Sequence, residues 1–423
     1  MMQALRQIWA VSELREKMLF ILAMLVVYRF AANIPLPGVD VLALRQMFEG
    51  NQLLGLLNLF SGGGLSNISV VLLGVAPYIT ASIIMQLMTM ISPQLEKLYK
   101  EEGEAGRQKF NMWTRWLTVP LSLIQAFGMI SLLRSQNVLT GLSPFMMVAM
   151  IVTAAAGTVF LMWIGELITE KGLGNGVSIM IFAGIIAGLP TKFSRFLSTW
   201  DASQAFSYLV FFGIALITIA AVVLVNDGQR IIPVSYAKRL RGSRVYGGAS
   251  THLPLRVNQA GVIPIIFAVS IILIPSMIAS YLSQSGGGRV ADIAISVNTF
   301  LRDPWVYAGL YFVLVAVFTY FYTAVIFDPY KISENLQKQG GFIPGIRPGT
   351  ATAEYLGRII NRITLAGAVF LGSVAVLPVV VQNVTNIQAL TLGGVSVLIV
   401  VSVVLEMMKQ MQGQLSMRNY DGF

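Results

Sequence analysis

The chain has 423 residues, of which 56% are hydrophobic and 11% charged, far below the about 25% charged residues of a soluble domain, and its mean hydropathy is +0.73. It has no cysteine and a single histidine, His252, which excludes disulfides, thiol catalysis and cysteine metal sites and leaves histidine chemistry almost no raw material. A net charge of +10 would suggest nucleic acid in a soluble protein; in a membrane chain the positive-inside rule explains it better.

Residues 1–17 read as a short amphipathic helix, with Leu5, Ile8, Trp9 and Leu14 interleaved with Arg6, Glu13 and Arg15. The apolar run then begins at Met18 and no small-residue cleavage site follows it, so the first span is expected to stay in the protein. Ten hydrophobic segments predict ten spans: 18–34, 70–91, 112–133, 145–165, 177–190, 207–225, 260–282, 305–327, 362–381 and 388–408. Most approach the ~20 residues that cross a ~30 Å hydrocarbon core. The fifth is short, and the second is preceded by a half-apolar, glycine-broken stretch, 57–67. Such a stretch cannot face lipid with its backbone groups unsatisfied, so it belongs inside protein or a water-filled cavity.

An even number of spans puts both termini on one side. With that side cytoplasmic, only Arg29, Arg45, Arg134, Lys192, Arg195, Arg289 and Arg302 of the 29 Lys and Arg fall outside, which sets the orientation. The expected organisation is an N-terminal helix (1–17), a first half of five spans (18–190), span six with the inner 6/7 loop (191–259), spans seven to ten with the inner 8/9 loop 328–361 (260–408), and a short tail (409–423). The loops 226–259 and 328–361 are long, basic and punctuated by Pro and Gly, the kind of loop that tends to carry function.

Several stretches, in this order and spacing, resemble the SecY family over nearly the whole chain. They are Phe60-Ser61-Gly62-Gly63-Gly64-Leu65-Ser66 with Gly74-Val75-Ala76-Pro77-Tyr78-Ile79-Thr80; Gly174-Asn175-Gly176-Val177-Ser178; Pro233-Val234-Ser235-Tyr236-Ala237-Lys238-Arg239; Gly261-Val262-Ile263-Pro264; and Phe342-Ile343-Pro344-Gly345-Ile346-Arg347-Pro348-Gly349. The resemblance implies an all-α polytopic membrane protein. Its ten transmembrane helices would form two pseudo-symmetric halves of five around an hourglass pore that conducts polypeptides.

Carried onto this sequence, the resemblance makes 57–67 a plug, with Phe60, Ser61, Gly62, Gly63, Gly64, Leu65, Ser66 and Asn67; a disordered outer loop is the alternative. It places a constriction of six apolar side chains at Val75, Ile79, Ile181, Ile185, Ile266 and Ile399. Val75 and Ile79 are i, i+4, as are Ile181 and Ile185, so each pair shares a helix face; ordinary core or lipid-facing aliphatics are the bland alternative. A lateral gate would run along the polar stripe Ser82, Gln86 and Thr89 of span two and meet Ser270 and Ile274 of span seven; a static interhelical hydrogen bond is the alternative, worth only ~0.6 kcal/mol. Arg347, bracketed by Pro-Gly turns, and the cluster Lys238, Arg239, Arg241 and Arg244 would dock the motor SecA or the ribosome; positive-inside excess explains the cluster but not the rigid setting of Arg347.

The resemblance further implies the subunits SecE and SecG, signal peptides and unfolded secretory proteins as clients, contact with membrane lipids, and the bacterial inner membrane with both termini cytoplasmic. It implies no cofactor and no metal. A secondary transporter of small solutes is the main rival, but such carriers use ionisable groups near the midplane, whereas Glu166 and Glu406 lie at span ends. Glu166 and Glu170 at i, i+4 lack the partners of a catalytic or metal pair, so no enzymatic activity is expected.

Overall fold

A computed structural model of the chain describes residues 11–37, 64–65, 68–135, 138–139, 141, 143–198, 203, 205–236, 239–241, 244–246, 250–282, 289–385 and 394–420. The described helices are α1 (Ser12–Ala31), α2 (Ala76–Ile91), α3 (Pro93–Lys100), α4 (Gly103–Ser135), α5 (Pro144–Lys171), α6 (Gly176–Ser198), α7 (Ala205–Asp227), α8 (Ile263–Leu282), α9 (Arg289–Arg302), α10 (Pro304–Ile326), α11 (Pro329–Lys338), α12 (Thr350–Thr385) and α13 (Gly394–Tyr420). Five short strands interrupt them: β1 (Gln229–Tyr236), β2 (Arg239–Arg241), β3 (Arg244–Tyr246), β4 (Ser250–Arg256) and β5 (Gly341–Phe342).

All ten hydrophobic segments coincide with helices, and α4, α5, α7, α10, α12 and α13 contain helical stretches long and apolar enough to cross a membrane. Several boundaries differ from the expectation: α1 begins at Ser12, inside the expected N-terminal helix 1–17; α4 begins at Gly103 and not at 112; and α6 runs on to Ser198, past the expected end of the first half at 190. The second segment is not helical from residue 70: residues 68–75 are turns, and α2 starts only at Ala76. Gly74 bends the chain there with φ +59, a conformation that costs glycine little, and Pro77 fits the first turn of α2 because its missing N–H is not needed there. At 16 residues, α2 is about 24 Å long, less than a full hydrocarbon core. Much of the expected 8/9 loop is regular: α11, β5 and the first turns of α12 occupy 329–361. Helix α13 runs on through Tyr420, so the expected tail begins as helix.

The first five apolar helices pack as one group, with α4 between α2 and α5, and α1 and α6 on α5. In the second group α10 lies between α8 and α12, and α13 contacts both α7 and α12. The groups meet along two seams: α6 against α13, and α2 with α4 against α8. Close approach within the first group depends on glycine. A Cβ at Gly176 would overlap the Gly165 carbonyl oxygen, so the start of α6 lies directly on α5.

At one end of the helices, β4, β1 and β5 form an antiparallel sheet in that order. Gln229 pairs with Arg256 and Ser235 with Ser250, making a long ribbon, while Ser235 and Tyr236 pair with Phe342 and Gly341. The two long loops are thus one body. It has its own apolar core of Ile232, Leu255, Phe327, Ile343, Leu356 and Ile360.

Candidate functional site

The six aliphatic side chains expected at the constriction come from four helices and are all buried in the apolar cluster that spans both helix groups. Val75 caps α2, and the Ile79 N–H donates to its carbonyl at 3.1 Å. Ile181 and Ile185 stand one turn apart on α6, Ile266 lies in the first turn of α8, and Ile399 lies near the start of α13. None exceeds 8% exposure, and all six belong to one buried apolar cluster. This burial removes the lipid-facing alternative. The six carry no hydrogen-bonding side-chain group, so water gains nothing fixed by entering between them.

The turn before Val75 is set by its neighbours. Leu36 N–H donates to the Ile68 carbonyl at 2.8 Å and Val70 N–H to the Ile34 carbonyl at 3.0 Å, tying 68–70 to the segment after α1. On the other side Gly157 of α5 lies so close that a Cβ there would overlap the Val70 carbonyl oxygen.

Of the expected plug, Gly64 and Leu65 are described, while Phe60, Ser61, Gly62, Gly63, Ser66 and Asn67 lie outside the described residues. Leu65 is 1% exposed and packs in a cluster with Leu36, Ile68, Leu72, Met129 and Met150. Gly64 accepts a hydrogen bond from Ser69 N–H at 2.9 Å. This end of the stretch is therefore held against α4 and α5.

On α2 the expected gate stripe bonds within its own helix. Gln86 Nε2 donates to Ser82 Oγ at 3.2 Å, and Thr89 Oγ1 donates to the Gln86 carbonyl at 2.7 Å. On α8, Ser270 Oγ donates to the Ile266 carbonyl at 2.9 Å. The side chain of Ile274 lies outside the described residues. Gln86 Oε1 is buried with no donor, so α2 carries a polar group that packing does not satisfy.

The Arg347 loop is braced from behind. Ser333 Oγ of α11 donates to the Gly349 carbonyl at 2.6 Å, and Thr352 Oγ1 of α12 donates to the Arg347 carbonyl at 2.8 Å. Gly345 and Gly349 take φ +81 and +102, and Ser333 and Thr352 are buried while Arg347 is exposed. On α11 a hydrogen bond from Lys338, 2.7 Å away, holds the exposed Glu334 carboxyl below its usual range. Arg239, Arg241 and Arg244 lie on the β2–β3 hairpin, where Arg241 pairs with Arg244; Lys238 and the side chains of these arginines lie outside the described residues.

Hydropathy and charge missed three polar contacts between helices. Gln125 Nε2 of α4 reaches Thr80 Oγ1 of α2 at 3.4 Å. Arg115 Nε donates to Glu166 Oε1 at 2.7 Å between α4 and α5. Asn226 of α7 binds Ser402 of α13. Their only signal is a polar residue within or beside an apolar run, which marks the residue and not its partner.

The model of the SecY family matches residues 69–408. The translocase subunit SecY of Mycobacterium tuberculosis is 44% identical over 97% of both chains, and that of Streptomyces galbus is 43% identical over the full length of both. Among solved structures, a SecY whose plug domain maintains a membrane seal aligns with TM-score 0.65 and 20% identity over 93% of this chain and 90% of that one. Sec61 from the canine ribosome–channel complex aligns with TM-score 0.60 and 17% identity over 93% of this chain and 90% of that one. With the family model and these full-length relatives in agreement, the chain belongs to the SecY family.

Proposed function

We propose that the chain is a protein-conducting channel that passes unfolded secretory polypeptides across the cytoplasmic membrane and releases apolar segments sideways into the bilayer. What supports this reading is that Val75, Ile79, Ile181, Ile185, Ile266 and Ile399 are all buried in the one apolar cluster that spans both helix groups. A ring without hydrogen-bonding groups grips no particular sequence, so a chain of any composition can slide through it, while dewetting resists ions. The stretch 57–67 acts as the plug on its outer side.

The α2–α8 seam is the lateral gate. A client segment that samples lipid there is sorted by its own composition: ten leucines gain roughly 3–6 kcal/mol, while one central arginine costs about 2.5–3.5 kcal/mol. The chain supplies no chemistry of its own; a motor or ribosome docked on the ribbon and the Arg347 loop supplies the drive. We assign those roles to SecA and the ribosome, place SecE and SecG as further subunits, and take signal peptides and unfolded secretory proteins as clients. The same reading puts both termini in the cytoplasm. Against the small-solute alternative, Glu166 lies in the last turns of α5 and is paired with Arg115, which leaves no free mid-span carboxylate there for ion coupling.

The test is crosslinking in vesicles. Single cysteines at Ile79, Ile185 and Ile266 are expected to capture a client arrested in transit with its partners present. A cysteine at Leu216, 69% exposed on α7, should not. Continued translocation with no capture at any ring position would refute the pore assignment.

A further inference from the structure

At the ribbon end, three side chains join the ribbon to the helix that carries Ile399. Asn258 Nδ2 donates to Asn226 Oδ1 at 2.8 Å, and Asn226 Nδ2 donates to Ser402 Oγ at 2.7 Å. Asn258 follows β4, Asn226 is in the last turn of α7, and Ser402 lies one helical turn beyond Ile399 on α13. The ribbon is closed at its base by Val257 N–H donating to the Gly228 carbonyl at 2.9 Å. Gly367 of α12 sits against that base, where a Cβ would come within 2.9 Å of the Val257 carbonyl oxygen.

The base of the ribbon is therefore held against both α12 and α13. A continuous antiparallel register from Gln229–Arg256 to Ser235–Ser250 makes it a stiff lever. Among the described residues, two polar side-chain contacts link that base to α13. The Asp227–Lys409 ion pair, 2.9 Å long, is exposed and screened. The amide–hydroxyl chain is different: Asn258 is 7% exposed and both bonds are partly buried, where hydrogen bonds are stronger than those in open water. Apolar contacts elsewhere on α13 can slide, whereas this chain fixes a register. It is also incompletely satisfied, because Asn258 Oδ1 is buried without a donor.

We infer that Asn258, Asn226 and Ser402 are positioning residues, a relay that passes tilt of the β1–β4 ribbon to the Ile399 turn of α13. The relay rests on the proposed reading of the ribbon as a dock and of Ile399 as part of the ring. A partner bearing on the ribbon would thus shift one wall of the constriction through three hydrogen-bonding groups.

The decisive pair is Ser402→Val against Ser402→Thr, two side chains of nearly equal volume that differ in the hydroxyl. Both are reconstituted as the complete channel complex in vesicles, with the motor and a secretory client. Ser402→Val is expected to slow motor-driven translocation about tenfold while motor affinity and resting ion conductance stay at the parent values. Ser402→Thr should keep the parent rate. Asn258→Leu should match Ser402→Val, and combining the two should add nothing, since both cut one path. Equal rates for Ser402→Val and Ser402→Thr would overturn the relay, as would losses that multiply in the double variant. A parallel Ile399→Cys crosslink to an arrested client separates the failures: no crosslink refutes the ring reading itself, whatever the relay variants do.

Discussion

Gly157 of α5 and Val70 of the turn before α2 touch backbone to backbone, so closely that a single methyl group at Gly157 would overlap the Val70 carbonyl oxygen. That contact fixes where Val75 enters the apolar cluster. Gly157→Ala must push the turn away or strain α5, an overpacking that costs about 1–3 kcal/mol. The expected result is a lower unfolding temperature together with a raised resting conductance. Gly213→Ala is the control: it sits on α7 with open space around the added methyl and should change stability by less than about 0.5 kcal/mol. Indistinguishable conductance in the two variants would mean that the turn does not position the ring.

The ring itself makes a sharper prediction. Ile185 is 4% exposed. Ile185→Asn introduces a donor and an acceptor that hold water in the constriction, which removes the dewetting barrier. Ile185→Val keeps the site dry and costs roughly 0.5–1.5 kcal/mol of stability. In planar bilayers the asparagine variant should leak ions at rest while the valine variant stays tight. If both stay tight, closure depends on something other than a dry ring.

Arg347 and its braces should separate docking from pore function. Arg347→Glu reverses a charge at an exposed tip and should abolish partner-driven translocation without altering resting conductance. Thr352→Val keeps Arg347 but frees its carbonyl from the 2.8 Å bond. A single hydrogen bond is worth about 0.5–1.5 kcal/mol net, so partner affinity should fall roughly 2- to 10-fold. Affinity measured at two salt concentrations adds a check: the Arg347→Glu variant should lose part of the parent's salt dependence, and Thr352→Val should keep it. An unchanged affinity in Arg347→Glu would remove this loop from the dock.

The sequence exposed what depends on a long hydropathy window and hid what depends on a partner elsewhere in the chain. All ten apolar segments are helices because a span must satisfy its backbone internally, and that requirement is written locally. The start of α2 was not legible. Val70 to Leu73 are as apolar as any span, and their turns follow from bonds to Ile34 and Leu36 and from the contact with Gly157. The 8/9 loop concealed the first turns of α12 because Glu354 and Arg358 make that part polar. The pairing of β5 with β1 was invisible for another reason: two residues are too few to show an alternating pattern. Only resemblance singles out the six ring residues, since Ile and Val are too common in this chain for composition to do so. Their shared burial is a property of the folded chain alone. Gln125 opposite Thr80, and Asn226 opposite Ser402, could not be paired from sequence, because hydrogen bonds between helices leave no spacing to read.

Gln86 offers a test of the lateral seam. Its amide nitrogen is used by Ser82, but its Oε1 is buried without a donor. An unmet buried acceptor costs about 1–3 kcal/mol, and this cost is relieved when the seam parts and water or a client reaches it. Gln86→Met keeps length and volume while removing the unmet acceptor, so it should stabilise the closed seam. Exit into lipid would then demand more from the client. For a test segment of leucines and alanines poised at half insertion, a shift of about 1.4 kcal/mol would change the inserted-to-translocated ratio tenfold. The measurement is the inserted fraction across a series with increasing leucine count. The midpoint should move toward more leucines in Gln86→Met and toward fewer in Gln86→Glu, whose carboxyl adds a second acceptor and a charge that the closed seam must bury. A midpoint that does not move in Gln86→Met would show that Gln86 plays no part in holding or releasing the seam.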